Sequence, residues 1–392
     1  MFRFLSQWVL FFSLFISAAG WGSYSLSLSQ LNQEPSYCQE YSNWCGAASA
    51  QMILEAYPYG EKHKLSQATL WSTIQKNMND PNGAWASDPD GLRTALEIHG
   101  KNLRSNWQIF NSTKAQTLLY SLISSLRSTQ YPATVLVYGF QHWIVVDGFK
   151  TNVDPARNND VRFEQIEITN PWPPCSATNR AGVRSLMTGE NWFKEYWYSV
   201  GGADGSKWAG NFVGIFQKTD RFGTAYAQED IRDESKAILP AKTAQKNALR
   251  ALKKLGLAQK PNYSALLKAQ AAAPLLVHDT HHDNSDYYVV PLVSKNSQKA
   301  VGSILINAHT GEFQEIGVLG EALEYLSKEK AIQKFAMQDD GSFPLDANTE
   351  TGLVFQPSEQ TRSRFYPIWY FKNQRQTKYM TQTGERFSDF TE

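Results

Sequence analysis

Cys38-Gln39-Glu40-Tyr41-Ser42-Asn43-Trp44-Cys45-Gly46-Ala47-Ala48 is a polar loop that runs into a row of small residues. The continuation to Tyr57 has helical character and ends at Pro58 and Gly60, which places Cys45 in the first turn of a helix. At that position the unpaired N–H groups and the positive end of the helix dipole favour thiolate over thiol. The thiolate is the nucleophilic form, whereas burial in apolar surroundings alone would leave a cysteine inert. Gln39 lies six residues earlier, far enough for the loop to return its amide beside the thiol. A side-chain amide and the Cys45 backbone N–H can together hold an oxyanion, and each such donor contributes a few kcal/mol in a dry site.

A thiol nucleophile needs a base, and the chain has seven histidines. His63 stands among Glu61, Lys62 and Lys64, as a solvated residue would. His99 precedes Gly100 at a helix end, where the dipole suits it. His278, His281, His282 and His309 fall late in the chain. His142 differs: it opens the apolar strand His142-Trp143-Ile144-Val145-Val146-Asp147-Gly148-Phe149, whose neighbours can fix the ring. Its orienting partner is expected to be Asn170, which follows the strand FEQIEIT and precedes Pro171-Trp172-Pro173-Pro174. Asp147 is the rival, but five positions along a strand put it on the opposite face from His142.

Around this core the chain alternates helical and strand patterns from about residue 25 to 219. Asp88-Pro89-Asp90 begins one helix, and Asn111-Ser112-Thr113 opens another that reaches about Arg127. TVLVY, HWIVVDGF and FEQIEIT then read as a meander of strands. Helices first and strands afterwards predict an α+β arrangement. Residues 220–262 are charged and Ala-rich, a helical linker. From 263 to 392 a smaller α+β domain follows: strands at YYVVPL, AVGSILINA and FQEIGVL, a helix from Gly320 to about Met337, and strands at RFYPIWYF and KYMTQT. Thr310-Gly311-Glu312 and Thr383-Gly384-Glu385, each before Phe or Arg-Phe, hint at a weak internal duplication.

The whole chain narrows the function. It has 392 residues, 42% of them hydrophobic, with 38 Lys+Arg against 37 Asp+Glu. That suits two folded domains, and a net charge of +1 gives no reason to expect nucleic acid as partner. Arg3, the apolar run Trp8 to Ile16 and the small residues Ser17, Ala18 and Ala19 have the form of a secretory signal peptide over residues 1–19. The run is about half the ~20 residues a membrane span requires, and no later segment reaches that length. A secreted or periplasmic protein without a stable membrane span is expected.

Gln39, then Cys45 at a helix start, then His142 with Gly148 six positions on, then Asn170 with Trp172 two positions on, resembles the papain-like cysteine peptidases. The Trp44-Cys45-Gly46-Ala47-Ala48-Ser49 segment is similar to the bacterial branch that includes the bacteriocin-leader-processing peptidases. The resemblance covers roughly residues 30–218 and implies a helical lobe beside an antiparallel-sheet lobe. It implies a Cys45–His142–Asn170 triad with Gln39 in the oxyanion hole, Trp172 and Gly148 in support, and peptide or protein as substrate. The chain departs from the family in lacking the Cys-Gly-Ser-Cys-Trp signature of plant and lysosomal members, and in having Pro171 after Asn170. Neither cofactor nor metal is implied; His278-Asp279-Thr280-His281-His282-Asp283 fits no firm ligand spacing and reads as a solvated loop.

Three cysteines in an exported chain leave one thiol over. If Cys38 and Cys175 flank one site, a disulfide between them braces both lips and leaves Cys45 free. The strand–turn–strand pattern ending in INAHTGEF is similar to PepSY-type domains, so intramolecular contact between the C-terminal domain and the cleft is a further expectation. Two other function classes stay open: acyl transfer or amidase activity of transglutaminase-like type, and a catalytically silent peptidase fold that only binds.

Overall fold

The computed structural model describes residues 23–28, 35–56, 65–82, 85–100, 106–156, 161–198, 205–218, 237–282, 285–295, 297–338, 343–346 and 348–390. The expected signal segment, His63, Asp283 and the first part of the 220–262 linker lie outside them.

Six helices of ten residues or more are described: α1 (Cys45–Glu55), α2 (Gln67–Lys76), α3 (Pro89–His99), α4 (Ala115–Thr129), α5 (Ala241–Lys254) and α6 (Lys328–Gln338). The strands are β1 (Tyr24–Ser27), β2 (Trp107–Ser112), β3 (Ala133–Val137), β4 (His142–Thr151), β5 (Phe163–Asn170), β6 (Val183–Thr188), β7 (Phe212–Gln217), β8 (Gln270–Ala271), β9 (Leu275–Asp279), β10 (Tyr287–Val293), β11 (Ala300–Asn307), β12 (Phe313–Leu323), β13 (Glu350–Phe355), β14 (Ile368–Lys372), β15 (Thr377–Met380) and β16 (Arg386–Phe387). The fold is α+β.

The predicted meander is present as β3, β4 and β5, all antiparallel. β4 is shared lengthwise: its first half pairs with β3 and its second half with β1. Gly148 sits where β1 crosses, and a Cβ there would lie 2.7 Å from the Leu26 carbonyl oxygen. One continuous sheet runs β16-β15-β14-β13-β9-β10-β11-β12-β6-β5-β4-β3-β7-β2, so β6 and β12 join the N-terminal and C-terminal parts directly.

Helices α1, α2 and α3 cover one face of the N-terminal part of the sheet. Met52 and Ile53 of α1, Leu70 and Ile74 of α2, and Leu92 and Leu96 of α3 pack with Trp143, Val145, Val213 and Ile215 of the strands. Asp88 caps α3 by accepting from the Gly91 N–H at 2.7 Å, with Pro89 as its first helical residue. No described helix is long and apolar enough to cross a membrane.

Two boundaries differ from the sequence expectation. Asn111 and Ser112 do not open α4; they end β2, which pairs with β7 along its full length. Ladder hydrogen bonds to a strand a hundred residues away override the local helix-start chemistry. Likewise Gly320 does not begin α6. β12 runs on to Leu323, which pairs with Ala300, and a Cβ at Gly320 would strike the Ala181 carbonyl oxygen. That glycine marks a close backbone approach rather than a helix boundary.

Between the two parts lies a buried charged cluster. Arg364 is fully buried, stacks on the Tyr287 ring at 4.1 Å, and donates to Asn191 Oδ1 at 2.7 Å. Glu195 and Asp279 each approach it at 3.9 Å. Glu315 accepts from the Tyr196 hydroxyl at 3.0 Å, with Ser185, Arg364 and Glu195 nearby. Burial pushes Glu315 up to about 7, although Ser185, Arg364 and Tyr196 oppose it. Burial, then the Glu195 charge, raises Asp279 to about 8 against the pull of Arg364 and the His281 N–H. Groups whose folded pKa is raised stabilise the fold when protonated, and that contribution is lost as pH rises through the folded value. The melting temperature is therefore expected to fall between about pH 4.5, the ordinary glutamate value, and about pH 7, and to fall less in Glu315→Gln. Equal slopes in thermal melts of the two proteins would contradict this assignment.

Candidate active site

Cys45 is the first residue of α1, and Trp44 before it provides no side-chain cap. The first-turn N–H groups thus keep their positive end toward the thiol. Cys45 is buried, with 3% of its surface exposed, and is the free thiol.

His142 opens β4 and Asn170 closes β5, and the antiparallel register brings the two strand ends together. His142 Nε2 lies 2.8 Å from Asn170 Oδ1. The roles can be assigned. The Trp172 N–H donates to the same Asn170 atom at 2.8 Å, and Asn170 Nδ2 donates to the Arg362 carbonyl at 2.8 Å. The shared atom must be oxygen, so Nε2 carries the imidazole proton and Nδ1 bears the lone pair. Nδ1 is buried without a hydrogen-bond partner. Burial, then the Arg362 charge, drives the His142 pKa down to about 3, and the Asn170 bond opposes only part of this. Asp147 is buried and accepts from the Thr169 hydroxyl at 2.8 Å, away from this contact.

The loop bearing Gln39 is tied to the segment after Asn170. The Gln39 N–H donates to Pro171 O at 2.9 Å, and the Cys175 N–H donates to Gln39 O at 2.7 Å. Beside these bonds Cys38 and Cys175 form a disulfide that links residues 137 positions apart. The Gln39 amide donates to the carbonyls of Tyr41 at 2.9 Å and Ser42 at 2.5 Å, while its Oε1 is buried without a partner. In this arrangement the Gln39 N–H groups serve their own loop. Trp172 is buried at the edge of a cavity of about 940 Å³ that Glu40, Tyr41 and Ser42 also line.

Two residues were not foreseen. Gln67 on α2 is buried; its amide donates to Cys38 O at 2.8 Å, and its Oε1 accepts from the Glu40 N–H at 2.9 Å. It holds the loop from the side opposite the disulfide. Arg362 comes from the connection between β13 and β14, and its Nη1 lies 4.0 Å from Cys45 Sγ and 3.5 Å from Ser42 O. The signal available was the Thr361-Arg362-Ser363-Arg364 run beside apolar PIWYF, where charges would not be expected to be buried.

The late histidines stand apart from this site. His278 Nδ1 lies 3.3 Å from Asp286, and His281 and His282 pack against Tyr198. Among the described residues no group of three or more His, Cys, Asp or Glu is placed to hold a metal ion.

Among solved structures, the Bacillus megaterium YpeB C-terminal domain aligns with 74% of this chain and 92% of its own. At 11% identity and a TM-score of 0.17, that likeness carries no argument. A search of curated proteins gives no match. Residues 26–202, the segment that contains Cys45, His142 and Asn170, match the Peptidase_C39 like family, and this match supports a cysteine peptidase.

Proposed function

We propose that the protein is an exported cysteine endopeptidase of papain-like type, with residues 25–219 as its catalytic part. Cys45 attacks the scissile carbonyl, and His142, oriented by Asn170, takes the thiol proton at Nδ1 and returns it to the leaving amine. Water then releases the acyl group from sulfur. The Cys45 N–H is one oxyanion donor; Gln39 becomes the second once its amide turns from Tyr41 and Ser42 toward the developing charge. The C-terminal part is read as a PepSY-like domain attached to this enzyme.

The observation that carries the reading is the imidazole of His142, held through Nε2 by Asn170 with the lone pair of Nδ1 left without a partner. The same groups serve acyl transfer, so the products decide. With a peptide substrate and excess added amine, the carboxylic-acid product is expected to dominate. A dominant new amide would replace hydrolysis by transfer as the activity.

A further inference from the structure

We infer that the loop between β13 and β14 is a built-in plug, in which Arg362 holds the catalytic thiol closed until the loop is displaced. This rests on the cysteine-peptidase reading of the site.

The loop is placed by many bonds. Arg364 is buried in the charged cluster, and its carbonyl accepts from the Tyr287 hydroxyl at 2.9 Å. The Phe365 carbonyl accepts from the Tyr325 hydroxyl at 2.8 Å. The Thr361 hydroxyl donates to the carbonyls of Ser363 at 3.1 Å and Tyr366 at 3.0 Å. So anchored, Arg362 engages three parts of the site at once. Its carbonyl takes the Asn170 amide, and its guanidinium reaches Cys45 Sγ and the Ser42 carbonyl.

The consequences are steric and electrostatic. Attack requires a carbonyl carbon within about 3–3.5 Å of the sulfur. With Cys45 3% exposed, His142 fully buried and Arg362 at the sulfur, that space is taken. Catalysis also needs His142 to carry a proton for the leaving amine. Arg362 disfavours that charge, and it is too weak an acid to supply the proton itself. The guanidinium can therefore stand in as a counter-ion for sulfur but cannot complete the reaction. Beside the loop, the cavity lined by Glu40, Ser42, Trp172, Glu359, Gln360 and Tyr366 gives an entering peptide access to the loop's edge.

Alkylation tests this, because Cys45 is the one cysteine outside the disulfide. Full-length wild type, Arg362→Ala and Arg362→Gln are compared for iodoacetamide alkylation rate from pH 5 to 9 and for casein hydrolysis. Thermal melts identify a variant that fails to fold, and the glutamine variant keeps the side chain's length. Losing one charged contact should speed alkylation about 10-fold or more, with the gain extending below neutral pH. Casein hydrolysis should rise with it. Unchanged or slower alkylation in the folded variants overturns the plug, and strong hydrolysis by wild type in that case leaves the peptidase reading standing. Faster alkylation with no hydrolysis in any protein supports the plug and overturns the peptidase reading.

Discussion

Cys45→Ala is expected to leave a folded protein that hydrolyses peptides about four orders of magnitude more slowly than its parent. The size follows from the chemistry, because no other group at the site can form the acyl intermediate. The cysteines of the disulfide are committed, and the group recorded at the sulfur is the Arg362 guanidinium, which is not a nucleophile. Stability should change little. Cys45 packs as a small apolar side chain among Ala47, Met52 and Trp143, and alanine keeps its Cβ. The comparison is made in wild type and in the Arg362→Ala background, so that the plug does not mask the loss. Matching thermal melts with full activity retained would remove Cys45 from the mechanism.

Much of the N-terminal site was legible because its signals are local. A cysteine before a run of small residues marks a helix start, and the alternation of HWIVVDGF and FEQIEIT marks two strands. Once those strands pair, His142 and Asn170 face each other without further information. Asp147 stands apart from them: its carboxylate accepts from the Thr169 hydroxyl.

What escaped depends on partners far away in the chain. β2 carries the residues of a helix start and becomes a strand only because β7 lies alongside it. β12 continues through Gly320 because β11 and the Ala181 backbone meet it there. Gln67 is one glutamine among many in the sequence, and only the packed loop gives both ends of its amide a bond. Arg362 is the clearest case. It stands 317 positions from Cys45, and nothing in its neighbours states that β6 and β12 will fuse two sheets and bring it to the thiol. The Gln39 amide is a subtler case: the carbonyls of Tyr41 and Ser42 take its hydrogens, a competition that residue spacing does not register.

The central claim is that His142 activates Cys45, and its removal should have the second largest effect. His142→Ala deletes both the proton acceptor and the group that returns the proton, so hydrolysis should fall by roughly three to four orders of magnitude. Asn170 and Gln39 remain in that variant but can neither take nor return the proton. The direct measurement is the alkylation rate of Cys45 against pH, in Arg362→Ala with and without His142→Ala. With His142 present, the thiolate should persist well below the ordinary thiol range. Without it the profile should return to that of a simple thiol, with the rate at pH 6 lower by roughly 100-fold. The same profile in both proteins would show that Cys45 and His142 do not act as a pair.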